Sequence, residues 1–276
     1  HPGLFNRLRA RAMAVLFLVS CLAAAGQAHA FGFSAAPSRV QMNFDDSGET
    51  GYVEITNTSG SDLELRVRLR DFDMSEDNKP VLSAPGRSSF ANWLVFQPRE
   101  FSLPSGETRT VRFAVRPMEK PEDGEYRVMM TLREAGERNR ESPVSFGVQM
   151  GIPIYATYGD IRRDGEILQV RGGRGELDLG VTSTGNAHLR FSGNWAVFSR
   201  GSWPGKAAAS RILDSDGWSE MIESLGARAE GRLPGKPVMP GDTRTLKIRN
   251  DGIPGTGVVF FAGTLGNTPI KRSFTF

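Results

Sequence analysis

The chain has almost none of the side chains that ordinarily carry chemistry. Among 276 residues there is one cysteine, Cys21, and three histidines, His1, His29 and His188. A single cysteine excludes an internal disulfide framework, and with it a cysteine-rich zinc site. Only His188 lies beyond the first 30 residues, so a histidine-based triad or a multi-histidine metal site would have one imidazole to work with. A surplus of one charge is missing too. Lys+Arg number 34 against 31 Asp+Glu, and the first 30 residues hold Arg7, Arg9 and Arg11 with no acid, so the remainder balances at 31 of each. A balanced chain offers no broad basic field for nucleic acid. Beyond residue 30 no stretch approaches the ~20 apolar residues of a membrane-spanning helix. What is present is a hydrophobic content of 39%, enough to exclude general disorder, and a length that fits one or two domains.

Residues 1–30 have the three parts of a secretory signal. Arg7-Leu8-Arg9-Ala10-Arg11 is basic, Ala12 to Ala25 is apolar, and Ala28-His29-Ala30 is a small-residue cleavage site. Leu18-Val19-Ser20-Cys21 is also similar to a lipoprotein box, which would leave a lipidated Cys21 at the new N-terminus. The residues after Cys21 stay apolar, which favours cleavage after Ala30.

From Phe31 onward the pattern is strand after strand. Leu63-Glu64-Leu65-Arg66-Val67-Arg68-Leu69-Arg70 alternates apolar and charged residues, as do Val53 to Thr56, Val111 to Arg116 and Tyr126 to Met130. Period two places alternate side chains on opposite faces of a half-buried sheet. Turn sequences such as Asp46-Ser47-Gly48, Pro104-Ser105-Gly106 and Glu122-Asp123-Gly124 divide the runs. Short strands at this spacing predict an all-β fold of two immunoglobulin-like β-sandwich domains in tandem, over 31–158 and 159–276. Asp123 to Val128 matches a tyrosine corner with Tyr126 at its centre. Trp93 reads as a core aromatic. In the second half, Thr184-Gly185-Asn186 reads as a hairpin turn and His188 as a strand residue. Gly201 to Pro237 reads as long loops with a few short strands and some helix near Trp218 to Leu225. The phrases Leu103-Pro104-Ser105-Gly106-Glu107-Thr108-Arg109-Thr110-Val111 and Met239-Pro240-Gly241-Asp242-Thr243-Arg244-Thr245-Leu246 repeat one turn-strand pattern, which points to two domains of related fold.

One strand is unusual. In Pro143 to Tyr155, the residues Val144, Phe146, Val148, Met150, Ile152 and Ile154 are all apolar and share one face. This is far longer than an ordinary strand of five or six residues. Part of it belongs in the core of the first sandwich. The first half reads as an exposed apolar edge, a hazard that calls for a reason. With this strand the chain resembles the periplasmic chaperones of the chaperone–usher pilus systems, in a divergent or archaic-type form. The resemblance rests on the order of Pro37-Ser38-Arg39-Val40, Val53 to Thr58, Trp93-Leu94-Val95-Phe96-Gln97-Pro98, Phe101 to Gly106, Thr110-Val111-Arg112-Phe113 and the ending Ile152-Pro153-Ile154-Tyr155. It implies a periplasmic, non-enzymatic protein that lends a strand to pilus or fimbrial subunits lacking one, with Val144, Phe146, Val148 and Met150 donated. It also implies that Arg39 anchors the subunit's C-terminal carboxylate, which a guanidinium can bind through two parallel hydrogen bonds. The lysine that pairs with this arginine in the best-known members falls at Pro153, which carries neither charge nor N–H donor. Either another basic residue supports Arg39 or the subunit is held differently. An outer-membrane usher is a further partner that the resemblance brings in, and the exposed edge leaves self-association open. No cofactor is implied.

Other signals are weaker. Asp71, Asp73, Ser75 and Asp77 alternate like early calcium-loop ligands, but the glycine and the distal glutamate of such a loop are missing. Gly172-Gly173-Arg174-Gly175 precedes a strand rather than a helix and is no phosphate loop. Two rival functions stay open: a structural or adhesive surface protein built of sandwiches, and a hydrolase using carboxylates alone, for which no acidic pair stands out.

Overall fold

The computed structural model describes residues 32–76, 78–135, 149–213 and 215–276. The expected signal segment with Cys21, the loop residue Asp77 and the expected donor residues Val144, Phe146 and Val148 lie outside the described residues. No helix among the described residues is long and apolar enough to cross a membrane.

The first group of strands is β1 (Phe33–Ala36), β2 (Val40–Asn43), β3 (Glu49–Asn57), β4 (Leu63–Met74), β5 (Pro80–Ser83), β6 (Leu94–Gln97), β7 (Glu100–Leu103), β8 (Thr108–Val115), β9 (Gly124–Glu134) and β10 (Gln149–Tyr158). They pair as β1-β3-β8-β6 in one sheet and β2-β10-β9-β4-β5 in the other, with β7 also on β4. The alternation seen in the sequence sets the packing. Val53, Ile55, Val111 and Phe113 on one sheet face Leu65, Val67, Val128, Met130, Leu132, Ile152 and Ile154 on the other, in a single buried core. Tyr126 closes a tyrosine corner: its hydroxyl donates to the Glu122 carbonyl at 3.0 Å and accepts from the Glu122 N–H at 2.9 Å. Its ring lies 5.1 Å from that of Trp93, which is buried with Phe44 and Phe90.

The second group is β11 (Gly165–Gly173), β12 (Glu176–Ser183), β13 (Leu189–Phe198), β14 (Ala227–Arg232), β15 (Pro237–Val238), β16 (Thr243–Arg249), β17 (Val258–Leu265) and β18 (Thr268–Thr275). The sheets are β11-β12-β16 and β14-β13-β17-β18, with β15 on β13. Two short helices, α1 (Lys206–Leu213) and α2 (Trp218–Ser224), lie between β13 and β14. The fold is all-β, two sandwiches with this helical pair set between strands of the second. Leu177, Leu179, Val181, Phe191, Trp195, Val197, Val259 and Phe261 fill the second core. The opposite faces of β13 and β17, with Ala196, Phe198, Phe260 and Ala262, are covered by Ala209, Leu213 and Ile222 of the helices.

Three local expectations change. Thr184-Gly185-Asn186 is not a hairpin turn: β12 pairs with β11 and β16, while β13 joins the opposite sheet. The stretch from 201 to 237 holds the expected helix near Trp218, α2, and the short strand β14, but it also holds a helix that was not expected, α1. His188 sits just before β13, not within a strand.

The repeated phrase is a repeated structure. Gly106 and Gly241 both take left-handed backbone, φ 76° and 78°, which glycine adopts without steric cost. Gly106 donates to the carbonyl of Asn57, whose N–H donates to Glu107; Gly241 donates to the carbonyl of Ser183, whose N–H donates to Asp242. In each case the following strand then pairs with the one that carries this residue, β8 with β3 and β16 with β12. The two sandwiches share one corner.

Candidate functional site

Strand β10 is paired unevenly. Against β9 it is matched along its whole length, from Gln149 opposite Arg133 to Tyr158 opposite Gly124. On its other side β2 covers only Ile154 to Thr157, in parallel. Gln149 to Pro153 therefore form an edge with one strand neighbour among the described residues. Proline is tolerated at such an edge because it has no N–H to offer a ladder. Ile152 and Ile154 are buried in the first core, and Met150, on the same face, is half-buried against it. The opposite face, with Gly151 exposed, Pro153 half-buried and Tyr155 buried, leads to the second sandwich.

There Tyr155 packs with Phe72, Met129 and Met239 in an apolar cluster that joins the sandwiches. Its ring stands 4.5 Å from that of His188. His188 Nδ1 lies 2.6 Å from Glu125 Oε2, and both side chains are buried, 3% and 0% exposed. A carboxylate only accepts, so Nδ1 carries the proton when Glu125 is ionised. Glu125 and Arg127 are two residues apart on β9 and so share a face, and Arg127 is the register partner of Tyr155. Arg39 immediately precedes β2, beside β10. Arg190 comes from β13 of the second sandwich and donates through Nη1 to the Gly235 carbonyl at 2.6 Å.

These charges act on one another. Burial pushes the Tyr155 hydroxyl above its ordinary value, Glu125 adds to the rise, and Arg190, Arg127 and Arg39 oppose it. Burial also lowers Arg190, and the like charge of Arg39 lowers it further. Three guanidinium groups and one buried carboxylate thus act on one phenol. Arg127 Nε is buried with no hydrogen-bond partner, and so is Glu125 Oε1. An excess of cations with an unmet donor suits an anion, and guanidinium favours a planar one.

Asn186 clasps the junction. Its amide donates to the carbonyls of Asp123 and Asp160 at 3.0 and 2.9 Å, and its Oδ1 accepts from the Arg162 N–H at 2.8 Å. Its own carbonyl accepts from the Glu125 N–H at 2.9 Å. Beyond the junction a groove of about 920 Å³ runs between the β4–β5 connection, with Glu76 and Lys79, and the β16 face, with Thr243, Thr245 and Lys247. Lys247 there bridges Glu176 and Asp178 at 3.2 and 3.4 Å. The expected loop carboxylates are used internally: Asp71 accepts from the Ser89 hydroxyl and the Gly86 N–H, and Asp73 from the Met74 N–H.

This chain is similar in structure to solved fimbrial chaperones. The YadV chaperone matches at 12% identity and a TM-score of 0.49, over 88% of this chain and 99% of that one. The class 5 fimbriae chaperone CfaA matches at 10% and 0.47, over 89% and 98%. A chain of the CsuC–CsuE chaperone–tip adhesion subunit pre-assembly complex, from archaic chaperone–usher Csu pili of Acinetobacter baumannii, matches at 14% and 0.46, over 88% and 97%. No protein-family model and no curated protein sequence matches. Identities this low and TM-scores below 0.5 leave the site to be argued from its own geometry.

Of the residues expected at the site, Arg39 stands at the junction and Met150 on the open edge. Arg127, Arg190, Glu125, Tyr155, His188 and Asn186 were not expected there.

Proposed function

We propose that the protein is a periplasmic chaperone, exported by the signal segment 1–30, whose domains 31–158 and 159–276 hold pilus or fimbrial subunits by strand addition. The observation that carries this reading is the open edge of β10. From Gln149 to Pro153 no strand among the described residues lies on the side away from β9, and in the sequence the apolar row Val144, Phe146, Val148 and Met150 leads into that edge. A subunit lacking its last strand would gain backbone hydrogen bonds from the edge and fill its groove with the row. At the foot of the same strand, Arg39, Arg127 and Arg190 would hold the subunit's terminal carboxylate. Arg127 and Arg190 would supply the charge that Pro153 does not.

A photo-crosslinking residue at Gln149, which is exposed, tests the reading in the periplasm. The expected product is an adduct with a secreted fibre subunit. Phe146→Asp with Val148→Asp should reduce it at least about a hundredfold, since each buried apolar side chain contributes about 1.5–3 kcal/mol. An adduct that persists in the double variant, or recovery of this chain as a building block of sheared surface fibres, would overturn strand donation.

A further inference from the structure

The buried acid at the junction has two possible partners. Glu125 shares a face with Arg127, and Arg127 Nε has no hydrogen-bond partner. Yet the carboxylate is turned to His188, at 2.6 Å, and its second oxygen is unpartnered. His188 is itself held by the Tyr155 ring at 4.5 Å and by its place between Asn186 and β13. Arg39, Arg127 and Arg190 are the other charges facing Tyr155. A buried carboxylate seeks a donor strongly, because leaving it unpaired is costly. Without the imidazole, the donors within its face are those of Arg127.

We propose that His188 is a positioning residue for the anion site: by holding the Glu125 carboxylate, it keeps an internal competitor off Arg127 and leaves the arginines to an incoming carboxylate. The inference rests on the carboxylate-anchoring reading above. It makes His188 a determinant of affinity for the acidic end of a ligand, contributed by the second sandwich to a site built mainly on the first. It also assigns opposite roles to two residues in direct contact. Glu125 weakens anion binding and His188 strengthens it, whereas a purely structural pair would weaken binding whichever member was lost.

The test uses the full mature chain and two fluorescent 12-residue peptides of alternating apolar and threonine residues, one with a free C-terminal carboxylate and one amidated, in anisotropy titrations at fixed salt. Wild type should prefer the carboxylate about tenfold, as a charge-assisted hydrogen bond allows. Glu125→Gln should raise that preference about threefold or more, and His188→Leu should reduce it towards unity. His188→Asn, whose amide nitrogen falls near the position of Nδ1, should restore it. Equal binding of the two peptides by wild type would sink the carboxylate-anchoring reading and this inference with it. A wild-type preference that Glu125→Gln lowers, or that His188→Asn fails to hold while circular dichroism stays native, would leave the anchoring reading standing and overturn the role given to His188.

Discussion

Tyr155 is the side chain at which the two sandwiches, the charges of three arginines and the buried Glu125 all meet. Its ring is held by Phe72, Met129, Met239 and His188, so its hydroxyl is removed from water while remaining close to four charges. Burial raises its ionisation above the ordinary value of 10.0. Below that value the phenol is neutral in both folded and unfolded chains, and it adds no pH dependence. Above it the unfolded chain loses the proton first, so stability falls as pH rises through the alkaline range. Tyr126 and Tyr158 are raised as well. Urea unfolding at pH 9, 10 and 11 should therefore show declining stability, and Tyr155→Phe should make the decline shallower without abolishing it. An unchanged slope in the variant would mean that Tyr155 ionises as freely in the fold as outside it. The neighbouring arginines were only partly legible. Arg39 stood out through a family resemblance, but Arg127 and Arg190 each alternate with apolar residues along a strand, and such charges ordinarily mark the solvent face.

At the scale of elements, β13 and β17 explain the helices. Trp195-Ala196-Val197-Phe198 and Val258-Val259-Phe260-Phe261-Ala262 do not alternate, because both faces of these strands are covered. Uninterrupted apolar runs are the mark of doubly buried strands, and here they require a layer outside the sandwich. Helices α1 and α2 provide it. Leu213, 2% exposed, is the larger of the two buried α1 side chains in that layer, and Leu213→Ala should cost about 2–5 kcal/mol in urea unfolding. A loss below about 1 kcal/mol would mean that the helices merely rest on the sheet. The strands themselves were readable from period two. Helix α2 was expected near Trp218, but α1 was hidden: Lys206-Ala-Ala-Ala-Ser-Arg-Ile-Leu213 follows Pro204-Gly205, so it reads as a continuation of a glycine-rich loop. Thr184-Gly185-Asn186 misled for a related reason. Its residues do bend the chain, with their N–H groups on the carbonyls of Asp164 and Arg162, but turn chemistry is local and does not state which sheet the next strand joins.

For the whole molecule, the tandem sandwiches and their shared corner were visible in two matching phrases, while their mutual arrangement was not. Glu125 and His188 are 63 positions apart, as are Asp123 and Asn186, and no periodicity links such pairs. The junction is partly apolar, so it should yield to one misplaced charge. Met239, 1% exposed, sits in it; Met239→Asp would bury an unpaired carboxylate. Small-angle scattering should then show a larger radius of gyration with the β-sheet signal intact in circular dichroism. A wild-type radius would show that hydrogen bonds such as those of Asn186 suffice to hold the arrangement. The parallel pairing of β2 with β10 also sets an order in time. Asn43 and Thr157, side-chain partners in that pairing, are 114 residues apart. A chain made from its N-terminus must carry β2 unseated until most of the first sandwich has appeared, and loop closure over that distance is slow. A strand that emerges early is among the last to find its place, and the nascent protein needs the same shelter for a bare strand that its finished form is proposed to give to others.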